Sequence, residues 1–184
     1  MRALLFTVAL LSTTLSRAAD GGLGLSLSAS VAVGDAARVK AALAAGAEGE
    51  LNVRGPAGQT PLMAACLGGH ADVAVLLLDA GADATIGEKD GYTCLHGAGF
   101  QGRAAVARAA LPRLDHTQHR DGFYPIHRAC WGREERHADT VAAFLEAGVP
   151  ADLKAANGET CATMTKNAHT LAVLAAARGD AREL

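Results

Sequence analysis

Three pairs of histidine and cysteine residues have spacings that could hold a metal ion: Cys94-x-His96, His116-x-x-His119 and His127-x-x-Cys130. A tetrahedral zinc site needs four such ligands converging on one point. Whether the three pairs of side chains converge on one point depends on the secondary-structure elements that carry them.

The last of these pairs could also support nucleophilic catalysis. Cys130 lies three residues after His127, and a catalytic thiol needs an exposed, polarised position beside a base. The sequence contains no G-x-S-x-G, H-E-x-x-H or phosphate-loop pattern, so these common catalytic motifs offer no support for an enzyme.

The elements that position these side chains follow from a near-repetition of the chain. Copies open at Gly58, Gly91, Gly122 and Gly158, at intervals of 33, 31 and 36 residues. A period in this range indicates a stacked array, because one small unit cannot bury its own apolar face.

The copy at Gly58 has the most complete motif. It reads Gly-Gln-Thr-Pro-Leu-Met-Ala-Ala-Cys over 58–66, then Gly-His from Gly69 and Gly-Ala-Asp from Gly81. This pattern resembles the ankyrin repeat, G-x-T-P-L-H-x-A-A followed by G-H and G-A-D, with Met63 in place of the usual histidine. The resemblance covers roughly residues 28–179 and is weaker at both ends.

Local signals agree with that resemblance. Residues 71–80 have the apolar spacing of a helix with one buried face. Thr60 followed by Pro61 predicts a helix start, and Gly81 predicts the left-handed residue that ends the next helix. The Asp-Gly and Asn-Gly pairs that end at Gly91, Gly122 and Gly158 predict tight turns.

We therefore predict an all-α repeat solenoid of stacked helix-turn-helix ankyrin repeats with hairpin loops. The predicted bounds are a signal peptide over 1–19, a linker over 20–27, a degenerate repeat over 28–57, repeats over 58–90, 91–121 and 122–157, and a truncated capping repeat over 158–184. The repeat at 91 has lost its closing Gly-Ala, and the repeat at 122 carries about three extra residues around 133–136.

The resemblance gives the histidines structural roles. His96 and His127 take the motif position whose ring ties neighbouring turns by hydrogen bonds, while His116 and His119 fall in a loop between repeats. Cys130 is expected to be buried between helices. We therefore predict no metal site, no cofactor and no catalytic residue.

The four cysteines fall at repeat-equivalent positions. Equivalent residues two repeats apart lie ~20 Å from each other, far beyond the roughly 7 Å that a disulfide spans. Pairs in adjacent repeats, Cys66 with Cys94 or Cys130 with Cys161, remain the alternative, although the offset along the helices would strain them. We expect four small buried thiols, which is how free cysteine usually packs.

The aromatic residues concentrate in two consecutive repeats, where such arrays expose variable positions on the concave side. Large exposed side chains are enriched at binding hot spots. The predicted partner-binding residues are Tyr92, Phe100, Gln101, Arg103, Arg120, Phe123, Trp131 and Arg133. The alternative is that some of these rings fill the gap left where the repeat at 91 has lost its closing Gly-Ala and the repeat at 122 carries extra residues.

These features predict a non-catalytic module that binds a partner protein on the concave face, and a monomer. The arginines around the rings favour an acidic partner. The formal net charge is −2, without the basic excess expected of a nucleic-acid-binding protein. Beyond the leader, no apolar stretch is long enough to cross a membrane.

Both ends of the chain suggest a compartment. Residues 1–19 combine Arg2, a short apolar stretch and small residues up to Ala19, a pattern typical of a secretory signal peptide. A transit peptide is the alternative. The final Glu183-Leu184 loosely resembles an endoplasmic reticulum retention signal, and an ordinary helix tail is the alternative. We expect the protein to lie in the endoplasmic reticulum lumen or the periplasm, with a cytoplasmic or organellar location as the alternative.

The second functional hypothesis is a lumenal or periplasmic helper protein that stabilises a resident enzyme.

Overall fold

A computed structural model describes residues 26–179, and this part of the chain is helical with no strand. Its ten α-helices form five consecutive pairs. They are α1 (Leu27–Ala32) and α2 (Ala36–Ala44) in pair one; α3 (Pro61–Gly68) and α4 (Ala71–Asp79) in pair two; α5 (Cys94–Gln101) and α6 (Ala104–Ala110) in pair three; α7 (Pro125–Cys130) and α8 (Glu135–Glu146) in pair four; α9 (Cys161–Met164) and α10 (Ala168–Arg178) in pair five. One 3₁₀ helix, Ala47–Glu50, follows pair one.

The pairs stack in chain order. First helices pack on first helices, α1 on α3, α3 on α5, α5 on α7 and α7 on α9, while second helices pack on second helices from α2 to α10. A continuous core of Leu, Val, Ala and Cys side chains runs through this stack. The predicted all-α repeat solenoid is confirmed.

Tight turns link successive pairs at equivalent positions. In each turn one backbone amide donates to the carbonyl four residues later, for example Glu88 to Tyr92 and His119 to Phe123, both near 3 Å. Gly58, Gly91, Gly122 and Gly158 all have positive φ angles, from 74° to 90°. Glycine adopts this conformation without the steric cost that a Cβ atom brings.

The helix start and helix end predicted for the second pair are both present. Thr60 caps α3, its hydroxyl accepting a hydrogen bond from the Met63 amide at 3.3 Å, and Pro61 is the first helical residue. Helix α4 ends at Asp79, and Gly81 has the left-handed φ of 92°. Val73 and Leu77 are fully buried on its inner face.

The extra residues of the fourth pair are taken up by its second helix. Helix α8 has 12 residues where α4 has 9. Its N-terminal connection is held from the next pair, because the Asn167 side-chain amide donates to the carbonyls of Gly132 and Glu134. The insertion therefore extends the array locally without breaking the stack.

The cysteine prediction was wrong: the four residues form two disulfides. Cys66 is bonded to Cys94, and Cys130 to Cys161, with Cα atoms 5.3 and 5.4 Å apart. The reason lies in the offset between neighbouring first helices. The sixth residues of α3, α5 and α7 lie against the first residues of α5, α7 and α9, so the offset that we expected to strain these bonds brings the cysteines together.

The junction between pairs three and four uses the same offset without cysteine. Here Gly99 takes the sixth position and Pro125 the first. A Cβ atom on Gly99 would lie 2.4 Å from the Pro125 carbonyl oxygen and 3.1 Å from the Arg128 Cβ atom. The missing side chain therefore lets α7 approach α5 closely at the one first-helix junction from α3 to α9 that has no disulfide.

The described residues begin inside the predicted linker. Helix α1 begins within the predicted linker, 20–27, since Leu27 is its first residue and is buried. The predicted signal peptide and the C-terminal Glu183-Leu184 lie outside residues 26–179. No helix within 26–179 is long and apolar enough to cross a membrane.

Candidate functional site

A buried arginine lies at the centre of the aromatic region. Only 3% of Arg128 is exposed, although it belongs to the short first helix α7. Its guanidinium carbon lies 4.6 to 5.2 Å from the ring centroids of Trp131, Tyr92, Phe100 and Phe123. A cation over an aromatic face contributes roughly 0.5–2 kcal/mol, more when it is shielded from water.

Asp121 fixes this arginine from the preceding turn. One carboxylate oxygen of Asp121 accepts a short hydrogen bond from Arg128 Nη2 and another from the Tyr92 hydroxyl at 3.0 Å. The other oxygen accepts from the Phe123 amide and lies 3.0 Å from His119 Nδ1. We call Arg128, Asp121 and the four rings the Arg128 cluster.

Electrostatics favour the ionised carboxylate in this cluster. Burial by itself would raise the pKa of Asp121, but hydrogen bonds from Arg128, His119, the Phe123 amide and Tyr92 outweigh it. The pKa of Asp121 therefore lies well below its usual range. Asp121 is therefore negatively charged in the folded protein near neutral pH.

The cluster spans the junction between pairs three and four, which has no disulfide. Tyr92 and Phe100 come from pair three, while Asp121, Phe123, Arg128 and Trp131 come from pair four. The Tyr92 ring also stacks on the His119 ring, with centroids 4.0 Å apart, and His119 Nε2 lies 2.9 Å from the Asp90 carbonyl oxygen. Charge, hydrogen bonds and ring contacts thus connect these two pairs, whereas disulfides join pairs two and three and pairs four and five.

Two of the rings also face solvent. Phe100 is 40% exposed and Trp131 is 41% exposed, and their ring centroids lie 6.3 Å apart. Tyr92 and Phe123 are half-buried. One part of the Phe100 and Trp131 rings therefore lines Arg128, and another part is accessible to solvent.

The polar residues predicted for this site are distributed around the rings. Gln101, Arg120 and Arg133 are exposed, and neither arginine forms an ion pair within residues 26–179. Arg103 is half-buried and lies apart, because its Nε donates to the Leu67 carbonyl at the junction with pair two. The sequence-based site omitted Arg128 and Asp121, which organise it.

Ion pairs also join neighbouring helix pairs. Arg108 of α6 pairs with Glu146 of α8, and Arg113, which follows α6, pairs with Asp79 of α4. Arg120 and Arg133 at the rim of the rings have no such partner within residues 26–179.

His127 and the four cysteines form contacts within the fold. His127 accepts from the Tyr124 amide through Nδ1 and bonds the Leu153 carbonyl through Nε2, at 3.1 and 3.0 Å. Within residues 26–179 no three His, Cys, Asp or Glu side chains are grouped as metal ligands. Cys130 is held in a disulfide, so it offers no thiolate for the nucleophilic role considered from sequence.

Acid should destabilise the array through its buried histidines. Burial lowers the pKa of His96 to about 4 and also lowers that of His127, while unfolded histidine titrates near 6.5. The unfolded chain therefore takes up protons first as pH falls below about 6.5, and stability is lost from there down to the folded pKa. For His96 alone we expect a loss of about 2 kcal/mol between pH 7.5 and pH 5.

Denaturant unfolding at both pH values measures this loss, with His96→Gln as the comparison. The variant should show a clearly smaller difference between the two pH values than the native chain. An identical pH dependence in both proteins would contradict the role of His96.

The fold and its surface define the class, an all-α repeat protein built from stacked helix pairs. The family model described as Ankyrin repeats (3 copies) matches residues 25–117, which is half of the chain. The chain belongs to the ankyrin-repeat family. Ankyrin repeats generally mediate protein–protein interaction and are typically non-catalytic.

Proposed function

We propose that this protein binds a partner protein on the surface formed by the four rings and the exposed residues beside them, Gln101, Arg120 and Arg133. We call this surface the ring face. It lies on the first helices and turns of pairs three and four, the side expected to be concave in an ankyrin array. No catalysis by the chain itself is part of the proposal.

The observation that carries this proposal is the exposure of Phe100 and Trp131 side by side. Large aromatic side chains with accessible area are the residues that most often dominate binding energy at interfaces. Their inner edges are already ordered against Arg128. Binding there would cost little conformational entropy, because the rings are held before the partner arrives.

The compartment is part of the same proposal. Two disulfides, Cys66–Cys94 and Cys130–Cys161, bind all four cysteines of the chain. Disulfides persist in oxidising compartments and are rare in the cytosol. We therefore propose that the protein acts in the endoplasmic reticulum lumen or the periplasm, in agreement with the signal-peptide pattern of residues 1–19.

Capture of partners from a lysate of the source cells tests the binding surface. The native chain should retain at least one protein that the double variant Phe100→Ala/Trp131→Ala loses. Leu171→Ala is the matched control, because Leu171 is 42% exposed on the second helix α10 and its truncation should leave capture intact. Circular dichroism first establishes that all three proteins are folded.

Two outcomes would contradict the ring face. Equal capture by the native chain and the double variant would place the interface elsewhere. Loss of capture in Leu171→Ala, with the double variant unaffected, would place it on the second helices.

A further inference from the structure

Three apolar side chains with accessible area occupy equivalent positions on successive first helices. Leu67, Phe100 and Trp131 each lie six residues beyond the first residue of α3, α5 or α7. Leu67 is half-buried, while Phe100 and Trp131 are 40% and 41% exposed. We call these three residues the apolar row.

Each of the first two members of the row leans onto the next first helix. A Cβ atom on Gly97 would lie 3.0 Å from the Leu67 Cδ2 atom, so Leu67 covers Gly97 of α5. Phe100 covers the equivalent position of α7, because its ring centroid lies 5.0 Å from the Arg128 guanidinium carbon. The Phe100 ring then meets the Trp131 ring. The row therefore extends the ring face by one repeat, from pair three back to pair two.

The helices under the row expose no charge. Within residues 26–179 the five first helices hold one Asp, Glu, Lys or Arg residue, Arg128, which is closed off from solvent. Every second helix has at least one exposed charged residue: Arg38, Asp72, Arg108, Asp139 and Arg178. A partner's charged side chain laid on the row would lose water without gaining an ion pair, which is costly. Apolar side chains of a partner therefore fit the row best.

The spacing of the rings fits an extended chain. The Phe100 and Trp131 ring centroids lie 6.3 Å apart. An extended strand directs alternate side chains to the same face, and at its usual rise per residue these lie about 6.6 Å apart. An extended segment that crosses the first helices can therefore place alternate side chains on neighbouring rings.

Two arginines beside the row are open to an acidic partner. Arg120 and Arg133 are exposed and form no ion pair within residues 26–179. Asp121 and Glu134, which directly follow them, are already paired with other arginines. Carboxylates of a partner would meet solvent-accessible guanidinium donors here, and such pairs are among the stronger hydrogen bonds of proteins.

We propose that the partner protein lays an extended segment across α3, α5 and α7, with alternate apolar side chains on the apolar row and carboxylates beside Arg120 and Arg133. This inference rests on the proposed function. It adds Leu67 of pair two to the contact surface and defines the partner segment as apolar and acidic. Every group that it uses is at least partly open to solvent, so the Arg128 cluster stays as it is.

Trp131 gives a direct assay, because it is the single tryptophan of the chain and belongs to the row. The first probe is a capped heptapeptide with leucine at alternate positions, serine between the leucines and glutamate at both ends. A second peptide has the same residues with the leucines at the helical spacing i, i+3 and i+4. A third has lysine at both ends of the alternating sequence.

We expect a saturable change in Trp131 fluorescence with the alternating glutamate peptide. The peptide with helical spacing should bind about tenfold more weakly, a difference of about 1.4 kcal/mol. The lysine peptide should bind more weakly than the glutamate peptide, and Arg120→Gln/Arg133→Gln should remove that preference.

The role of Leu67 is tested by truncation. Leu67→Ala should weaken binding of the alternating glutamate peptide about tenfold, since truncating a central interface contact often costs more than 1 kcal/mol. The matched control is Leu76→Ala, because Leu76 is half-buried on the second helix α4 and its truncation should leave binding unchanged. If Leu67→Ala does not fold, the methyl resonances of the native protein replace it: those of Leu67 should shift with this peptide and those of Leu76 should not.

The inference would be overturned by absence of saturable binding, by equal or tighter binding of the peptide with helical spacing, or by preference for the lysine peptide. It would also fail if the preference for glutamate survived in Arg120→Gln/Arg133→Gln, or if neither Leu67→Ala nor the Leu67 resonances responded. The proposed function fails separately: a partner lost on truncation of Phe100 and Trp131 would still establish the ring face.

Discussion

Replacing Arg128 with alanine should lower the free energy of unfolding by about 2–4 kcal/mol, because a hydrogen bond to a charged group contributes about 1.5–3 kcal/mol and cation–π contacts add roughly 0.5–2 kcal/mol. The substitution removes the hydrogen bond to Asp121 and the cation that all four rings surround. It also leaves the Asp121 carboxylate without its strongest partner. Chemical denaturation followed by circular dichroism measures the loss.

The matched control is Arg120→Ala. Arg120 precedes Asp121 directly but is exposed and forms no ion pair within residues 26–179. Its truncation should change stability by less than about 0.5 kcal/mol, as is usual for surface positions. Similar small losses in the two variants would show that the Arg128 cluster does not hold pairs three and four together.

Removing either disulfide should have an effect of similar size. The bonds join residues 28 and 31 positions apart, and loops of this length predict a stabilisation of about 3.5 kcal/mol each through restriction of the unfolded chain. Cys66→Ala/Cys94→Ala and Cys130→Ala/Cys161→Ala should each lose this amount in denaturant unfolding. Because the two loops do not overlap, the losses should add in the fourfold variant.

A reducing agent provides the control for this prediction. It should destabilise the native chain and leave the fourfold variant unchanged. Native stability that is insensitive to reduction would contradict the disulfides. Alkylation of intact source cells followed by mass spectrometry extends the test to the proposed compartment, where Cys66, Cys94, Cys130 and Cys161 should all escape modification.

Much of the array can be predicted from sequence, because its signals are local and recur. The order Thr60-Pro61 caps α3 as expected, and the glycines at the turn positions have the positive φ angles that tight turns require. Each of these features depends on a few neighbouring residues. Repetition then reveals the stack, since no single helix pair could bury its apolar face alone.

The disulfides were missed because their geometry depends on an offset that no single repeat contains. Pattern alone places Cys66 and Cys94 at different positions of their helices, and only the packing of α3 on α5 brings their Cα atoms to 5.3 Å. The same offset explains Gly99 beside Pro125 at the next junction. The sequence did contain a signal for the disulfides. Cys66 and Cys130 are each the sixth residue of a first helix, and Cys94 and Cys161 are each the first residue of the following first helix.

The centre of the site was missed for a related reason. An arginine on a short helix is ordinarily a solvent-exposed residue, so the sequence alone did not indicate Arg128 as the centre of the site. Its burial requires Asp121 from the preceding turn and rings from two repeats, all assembled by tertiary packing. The available clue was an arginine where the equivalent first-helix positions carry the small residues Ala64 and Gly97.

Site-specific photo-cross-linking tests the central claim most directly. A benzophenone amino acid replaces either Gln101, exposed beside Phe100 on the ring face, or Asp139, exposed on the second helix α8. Illumination in the source cells should yield a cross-linked partner from the Gln101 position and none from Asp139. A partner trapped from Asp139, or from neither position while capture by the native chain persists, would contradict binding at the ring face.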